Sequence, residues 1–127
     1  MPARPRGPGS TLDASWERKL RTGQVDPDRV VDLHGNNVDA AHARAIDAVV
    51  RADAAGERVV VVITGKPPAA GVSRLDAPLR GVIRASIGDW LAASPVADRI
   101  AAVRVAHRRH GGAGAIYVVL RRRPMTR

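Results

Sequence analysis

Apolar and polar residues alternate along the chain with two different periods. The run "RVVVVIT" at 58–64 is apolar throughout and β-branched, which is typical of a strand at the centre of a sheet. Similar runs at 30–33, 99–107 and 115–123 predict three further strands. Two prolines and two glycines at 65–77 exclude regular structure, so a loop is predicted after the central strand.

A short N-terminal helix is predicted from its end signals and its apolar spacing. Ser10 or Thr11 suits the cap, and Gly23 suits the stop. The apolar residues between them recur every four positions and form one stripe, which we expect to dock on the main domain. They are Leu12, Trp16 and Leu20.

Two longer helices are predicted between the strands. The first follows a cap at Asn36 or Asn37 and ends at Gly56. The second has Pro78 at its first position and is broken by Pro95. The apolar positions of the second helix keep helical spacing: Leu79, Ile83, Ile87, Trp90 and Leu91.

This order of elements predicts an α/β domain. We expect a two-layer sandwich with a four-stranded mixed sheet (β-α-β-α-β-β), two helices on one face and an additional N-terminal helix. Right-handed crossovers would leave the first three strands pointing the same way, with the fourth antiparallel. The loops at 32–37, 64–71 and 107–114 would then emerge at one sheet edge, where open α/β sheets bind ligands.

The chain is expected to have four regions. Residues 1–9, rich in Pro, Gly and Arg, cannot bury enough surface to offset their ordering entropy, so they form a disordered tail. The N-terminal helix and its linker cover 10–28, the α/β domain covers 29–123, and a basic tail covers 124–127.

Composition narrows the classes of partner. The 127 residues carry a formal charge of +9, which favours polyanions such as nucleic acid, although a basic surface without a specific ligand remains an alternative. Trp16, Trp90 and Tyr117 are the only aromatic residues, which argues against reading single strands by base stacking. Cysteine is absent, so disulfides and thiolate metal sites are excluded.

Location and assembly can be predicted only in outline. The arginines near the N-terminus are not followed by an apolar segment, and no stretch is long enough to span a bilayer. We therefore expect a soluble, cytoplasmic protein without membrane contact. A small domain with few exposed apolar groups suggests a monomer.

Asp32 and His34 form the first candidate site. Residues two apart on a strand project from the same face, so both would lie opposite Val31 and Leu33, which would face the helices. There the carboxylate can orient the imidazole, or the pair can hold water or a divalent cation. Alternatively, Asp32 bonds the backbone of the turn and His34 is an ordinary histidine at a strand end.

Gly65 and Lys66 form the second candidate, directly after the central strand. The ATP-binding P-loop pattern fails here, because Val60 stands where its first glycine should be and Pro67 where Ser or Thr should be. What remains is a glycine that allows a phosphate to approach the backbone and a lysine that supplies charge. An ordinary loop lysine is the alternative.

The connection "HRRHGGAGA" at 107–115 is the third candidate. It is not a dinucleotide fingerprint, because the third glycine is missing and a strand follows. Backbone N–H groups beside guanidinium groups suit a phosphodiester, whereas a flexible hairpin is the alternative. The candidate phosphate-binding residues are Arg108, Arg109, His110, Gly111, Gly112 and Gly114.

Four stretches together resemble the small MutS-related (Smr) domain family. They are "VVDLHG", "VVVVITGK", "LRGVIRASIGDWL" and "GGAGAIYVVLRR", in the family's order and spacing over about residues 30–122. The resemblance implies a two-layer α/β domain similar to the C-terminal domain of a bacterial translation initiation factor. It also implies nucleic-acid binding and, as in several members, endonuclease cleavage or nicking of DNA or RNA.

The family's motif residues correspond to Asp32, His34 and Gly35, then Gly65 and Lys66, then Gly111, Gly112 and Gly114. One position differs from the family pattern. The family usually has glycine after the lysine, whereas this chain has Pro67, which removes an N–H donor and weakens any backbone phosphate cradle there.

Three hypotheses follow. In a nuclease, His34 would act as base or acid, and Asp32 would orient it or bind Mg²⁺ or Mn²⁺. The phosphate would be held by Lys66, Arg108 and Arg109. A non-catalytic module would instead bind nucleic-acid backbone and shape, and an adaptor would use the stripe of the N-terminal helix to bind a protein. Whether the nucleic acid is DNA or RNA stays open.

Overall fold

The fold is described from a computed structural model, which covers residues 12–65 and 78–122. Its helices and strands are α1 (Ala14–Thr22), β1 (Arg29–Asp32), α2 (Val38–Ala54), β2 (Val59–Ile63), α3 (Pro78–Ala92), β3 (Ile100–Val105) and β4 (Ala115–Leu120). The predicted α/β class and the order of its elements are confirmed. The tails predicted at 1–9 and 124–127, and most of the loop predicted after β2, lie outside the described residues.

The four strands form one mixed sheet in the order β1-β2-β4-β3. β1 and β2 are parallel, and β4 is antiparallel to both β2 and β3. The predicted strand directions are therefore confirmed, and the structure adds that β4 lies between β2 and β3. The ends of β1, β2 and β3 and the start of β4 meet at one sheet edge, which we call the rim.

Both faces of the sheet are covered. α2 and α3 pack against the face that carries Val31 and Leu33, as predicted for these two residues. On the opposite face, Leu20 of α1 and Val25 pack against Tyr117. The sandwich therefore has two full layers, and α1 adds a partial third one.

α1 docks on the sheet through its predicted stripe. Leu20 is buried, while Leu12 and Trp16 are partly buried against the same cluster. Glu17 forms a two-pronged ion pair with Arg104 of β3, with N–O distances of 2.7 and 3.1 Å. Because this chain itself covers the stripe, the prediction of intramolecular docking is confirmed, and the adaptor hypothesis loses its free apolar face.

The helix ends agree in part with the sequence signals. Gly23 ends α1 with a left-handed φ of 76°, and Asn37 caps α2, both as predicted. The predicted cap of α1 at Ser10 or Thr11 is wrong, because the Asp13 carboxylate accepts the backbone N–H of Trp16 at 2.9 Å. No helix in 12–65 or 78–122 is both long and apolar enough to cross a membrane.

Candidate functional site

Backbone hydrogen bonds join the candidate segments at the rim. The Leu33 N–H donates to the Ile63 carbonyl at 2.7 Å, so the end of β1 lies beside the end of β2. The Gly114 carbonyl accepts the N–H groups of Thr64 and Gly65 at 2.9 and 3.1 Å. These bonds bring the end of the 107–114 connection to β2, as the sheet topology predicted.

Asp32 and His34 form a hydrogen-bonded pair at the end of β1. The Asp32 Oδ1 lies 2.5 Å from the His34 Nδ1 and also accepts the His34 backbone N–H at 3.0 Å. The two side chains remain 45% and 68% exposed, respectively, so solvent and a large substrate can reach them. The carboxylate therefore fixes the turn and also orients the imidazole.

The surroundings of Asp32 favour its ionised carboxylate, because they lower its pKa. The side-chain hydrogen bond from His34 is the largest cause that lowers the pKa of Asp32, and the backbone N–H of His34 adds to it. The Arg44 charge lowers this pKa further, whereas partial burial opposes the change. An ionised carboxylate on Nδ1 favours the tautomer with its proton there, which leaves Nε2 to accept a proton.

Arg44 braces this turn from α2, a role that the sequence did not reveal. Its Nη1 donates to the Asp32 carbonyl at 2.8 Å and to the Asn36 Oδ1 at 2.9 Å. Arg44 lies two turns into α2, so only the observed rotation of that helix shows that its side chain reaches back to β1.

The glycine connection (residues 107–114) is shaped by tight backbone geometry. Gly111 has a φ of 119°, and a Cβ placed there would lie 2.7 Å from the Ala115 Cβ. Gly112 follows with a φ of 57°. The predicted tight turn is therefore present. Gly35 and Gly65, the glycines of the other two motifs, also have positive φ values of 81° and 95°.

Arg108 and Arg109 present the positive charge of the glycine connection. Both residues are exposed, and neither guanidinium hydrogen-bonds or pairs with any residue in the described part of the chain. Guanidinium groups in this state can form charge-assisted bonds to phosphate oxygens. Lys66, the remaining predicted cation, lies outside the described residues.

His110 is held differently from its arginine neighbours. Its Nδ1 lies 2.6 Å from the Tyr117 hydroxyl oxygen, which also accepts the His107 backbone N–H at 3.1 Å. Burial lowers the pKa of His110, and the charges of Arg109 and His107 add to this effect. A neutral imidazole fixed by Tyr117 shapes the connection and adds little positive charge near neutral pH.

Arg84 links α3 to the glycine connection, and the sequence analysis missed it as well. Its Nη1 donates to the Ala113 carbonyl. The two residues are separated by 29 positions, and arginine carries no sequence signal for a carbonyl partner at that distance. The connection is therefore fixed from β2, from α3 and by the Tyr117 hydroxyl.

The Mg²⁺ or Mn²⁺ suggested by the sequence fits these residues poorly. Within 12–65 and 78–122, no group of three His, Cys, Asp or Glu side chains could hold a metal ion. The Asp32 Oδ1 already accepts two hydrogen bonds from His34. That leaves a single carboxylate oxygen, so a bound ion would have to take its other ligands from water and from substrate phosphate.

The fold and the rim together define a small α/β domain with an exposed acid–imidazole pair beside a basic glycine connection. The family model of the Smr domain matches residues 31–121. The chain therefore belongs to the Smr domain family of nucleic-acid-binding, nuclease-like modules, and the resemblance seen in its motifs is confirmed.

Solved structures support the same assignment. YdaL, a stand-alone small MutS-related protein from Escherichia coli, has a TM-score of 0.71 and 27% identity, covering 91% of this chain and 81% of its own. The Smr domain of Thermus thermophilus MutS2 has a TM-score of 0.55 and 26% identity, covering 76% of this chain and 99% of its own. No curated protein matches the chain.

Proposed function

We propose that this protein binds nucleic acid at the rim and cleaves phosphodiester bonds there as an endonuclease. The observation that carries the proposal is the 2.5 Å contact between the Asp32 Oδ1 and the His34 Nδ1, in a pair that stays open to solvent. An imidazole oriented by a carboxylate is a common arrangement for moving a proton in a hydrolytic reaction.

The residues divide the chemistry between them. The His34 Nε2 takes the proton of the attacking oxygen, which is either a water or a ribose 2′-hydroxyl, while Asp32 stabilises the imidazolium that forms. The new P–O bond forms as the bond to the leaving oxygen breaks. That oxygen then takes a proton from water, and the imidazolium later releases its own proton to water. Arg108 and Arg109 neutralise the charge that develops on the phosphate.

A non-catalytic binding module is the second candidate. It is favoured by the exposed Arg108 and Arg109, which can hold phosphates without any help from Asp32 or His34. Such a module would grip backbone and shape with little sequence preference. It differs from the nuclease in needing no proton transfer.

Cleavage of supercoiled plasmid and of structured RNA tests the first proposal. His34→Ala and Asp32→Asn should each lower the rate, with a loss of about 100-fold or more for His34→Ala, because general acid–base groups contribute on that order. His42→Ala is the matched control, since His42 is an exposed histidine in edge-to-face contact with Trp90 of α3. The same reaction with EDTA shows whether cleavage depends on divalent metal ions.

The same assay separates the two candidates. Equal traces of cleavage by wild type and His34→Ala would mean a contaminating nuclease and would remove the endonuclease proposal. If those samples still bind nucleic acid with equal affinity, the non-catalytic module is the function that stands.

We also propose that the protein acts as a monomer in the cytoplasm. The large apolar side chains exposed in the described residues lie on three different elements, β1, α2 and β3, which supports a chain without a dimer face. They are Val30, Val50 and Val105. Sedimentation of the pure protein measures the assembly directly.

A further inference from the structure

A pocket of about 360 Å³ lies at the sheet edge opposite the rim. Four of its lining residues carry the argument. Arg58 precedes β2, Arg121 and Arg122 follow β4, and Trp16 belongs to α1. We call it the Arg58 pocket. None of the candidate residues of the rim lines this pocket.

Arg58 differs from three of the other half-buried arginines in the described ranges. Each of those three faces a carboxylate at 2.7 to 3.0 Å: Arg29 with Glu57, Arg99 with Asp53 and Arg104 with Glu17. Arg58 donates its Nε to the Leu120 carbonyl at 2.7 Å, and its guanidinium lies 5.1 Å from the Trp16 ring centroid. Across the described ranges, no carboxylate pairs with its two outer nitrogens.

The charge of Asp28 raises the pKa of Arg58, but the opposing causes outweigh it. The Asp28 Oδ2 accepts the backbone N–H groups of Arg58 and Val59 at 2.8 and 3.0 Å, so it is already engaged. Burial is the largest cause that lowers the pKa of Arg58, and the charges of Arg122 and Arg99 lower it further. A half-buried cation surrounded by like charges is costly unless an anion accompanies it.

One charged group beside the pocket and one in its wall bear on how an anion would be held. The Lys19 ammonium lies 5.6 Å from the Trp16 ring centroid, which brings another positive charge to that ring. Asp13 also lines the pocket, but its carboxylate is the cap of α1. Arginine side chains favour phosphate because their planar forks match two of its oxygens at once.

We propose that the Arg58 pocket binds a phosphate group of a nucleic acid, as a second site separate from the rim. The identity of the carrier rests on the proposed nucleic-acid binding, whereas the phosphate chemistry rests on the pocket alone. β4 runs between the two sites, and its six residues span roughly 20 Å at about 3.4 Å each. One strand of about six nucleotides has a similar length, so a single nucleic acid can reach both sites.

The test is a titration of the ¹⁵N-labelled full chain followed by NMR. Inorganic phosphate is compared with sodium chloride at equal ionic strength, and the signals are the Trp16 indole N–H and the amides of residues 121 and 122. A saturable shift with phosphate and none with chloride is the expected result. Equal, non-saturating shifts with both salts would overturn the site.

Variants then assign the binding to the guanidinium groups. Arg58→Gln and Arg122→Gln should each weaken phosphate binding about 10-fold, since a charge-assisted hydrogen bond is worth about that factor. Arg122 is exposed, so its variant avoids any loss of α1 docking that Arg58→Gln causes. Arg51→Gln is the matched control, because Arg51 is an exposed arginine of α2. Unchanged affinity in both pocket variants would overturn the proposal.

The carrier is tested with a single-stranded octanucleotide, with and without a 5′-phosphate. Shifts of the pocket signals by both forms support binding of a backbone phosphate, and shifts by the phosphorylated form alone support binding of a strand end. If inorganic phosphate binds but neither oligonucleotide shifts those signals, the nucleic-acid assignment is overturned. Arg109→Gln should leave the pocket shifts unchanged, so a failure at the rim is distinguishable from a failure here.

Discussion

Asp32 serves two structural purposes with one oxygen. Its Oδ1 accepts both the backbone N–H and the ring Nδ1 of His34, which sets the turn after β1 and the direction of the imidazole together. The sequence predicted that the two side chains lie together, because residues two apart on a strand share a face. It left the turn and the pair as alternatives, and only coordinates show that both occur.

The first prediction concerns the pKa of Asp32. His34→Ala removes the hydrogen bond that lowers this pKa most, so the pKa should rise toward about 3.9, the ordinary value for aspartate. A lowered folded-state pKa gives stability that is present above the unfolded pKa and is lost as the pH falls through the folded value. The stabilising effect of the pair should therefore disappear in acid, below about pH 4.

The measurement is a ¹³C NMR titration of the Asp32 carboxyl carbon in the wild type and in His34→Ala. His42→Ala is the control and should leave the curve of Asp32 where it is in the wild type. The same titration midpoint in wild type and His34→Ala would mean that the ring does not stabilise the carboxylate.

Two arginines mark the limit of prediction at this scale. Arg44 and Arg84 reach the rim from α2 and α3, by bonds to the carbonyls of Asp32 and Ala113. Both bonds depend on how each helix is rotated against the sheet. Apolar spacing indicates which face of a helix is buried, but it does not say which flanking polar side chain folds back to a strand end.

At the scale of elements, the apolar patterns were more informative than the end signals. The four-residue spacing of the α1 stripe predicted docking, and Leu20 is indeed buried. The predicted cap of α1 at Ser10 or Thr11 was wrong. Asp13 is an equally good capping residue, and its carboxylate accepts the backbone N–H of Trp16, three positions further on. Several nearby residues can each serve as a helix cap, so the sequence does not decide between them. An apolar stripe, in contrast, fixes which face of the helix is buried.

The position of β4 could have been read from its composition. All six of its residues are buried, as expected for a strand with neighbours on both sides and both faces covered. β3 carries the exposed Val105 and the half-buried Arg104, which suits a strand at the sheet edge. The order of elements predicts the direction of β4, whereas this contrast in burial explains its place between β2 and β3.

The second prediction concerns the turn of the glycine connection. Gly111→Ala should lower the free energy of unfolding by about 1–2 kcal/mol, because a left-handed backbone strains any residue with a Cβ. The new Cβ would also lie 2.7 Å from that of Ala115. Gly88→Ala is the matched control, since Gly88 lies inside α3 with nothing within 4 Å of its added Cβ.

Urea unfolding followed by circular dichroism measures both variants. Gly88→Ala should raise the free energy of unfolding by about 0.5–1 kcal/mol, because alanine favours the helix over glycine. A Gly111→Ala variant as stable as the wild type would show that the turn after the 108–110 segment can relax without the left-handed residue.

The charge of the whole molecule is not distributed as the net value suggests. The formal charge of +9 favours nucleic acid as the class of partner, in agreement with what the Smr domain family binds in general. Several arginines are nevertheless engaged with carboxylates of the same chain: Arg29, Arg51, Arg99 and Arg104. The sequence cannot separate Arg29, Arg99 and Arg104 from the arginines of the glycine connection, because their ion pairs span 28, 46 and 87 positions and depend on the fold.

The last prediction uses this difference to map the nucleic-acid surface. Binding of a short duplex is measured by fluorescence anisotropy over a range of salt concentrations, and the logarithm of affinity is plotted against that of salt. Each phosphate contact that is lost should reduce the slope by about 0.9. Arg108→Ala and Arg109→Ala should each do so, whereas Arg51→Ala should hardly change it, because Arg51 already pairs with Asp47 at 2.8 Å.

His34→Ala provides the second comparison in the same experiment. Removing an imidazole that moves protons should leave the slope nearly unchanged, since the slope counts released counterions and not the chemical step. An equal loss of slope in Arg51→Ala and Arg109→Ala would mean that the duplex contacts the molecule without regard to its ion pairs. In that case the bound surface would follow net charge alone, and the rim would have no special part in binding.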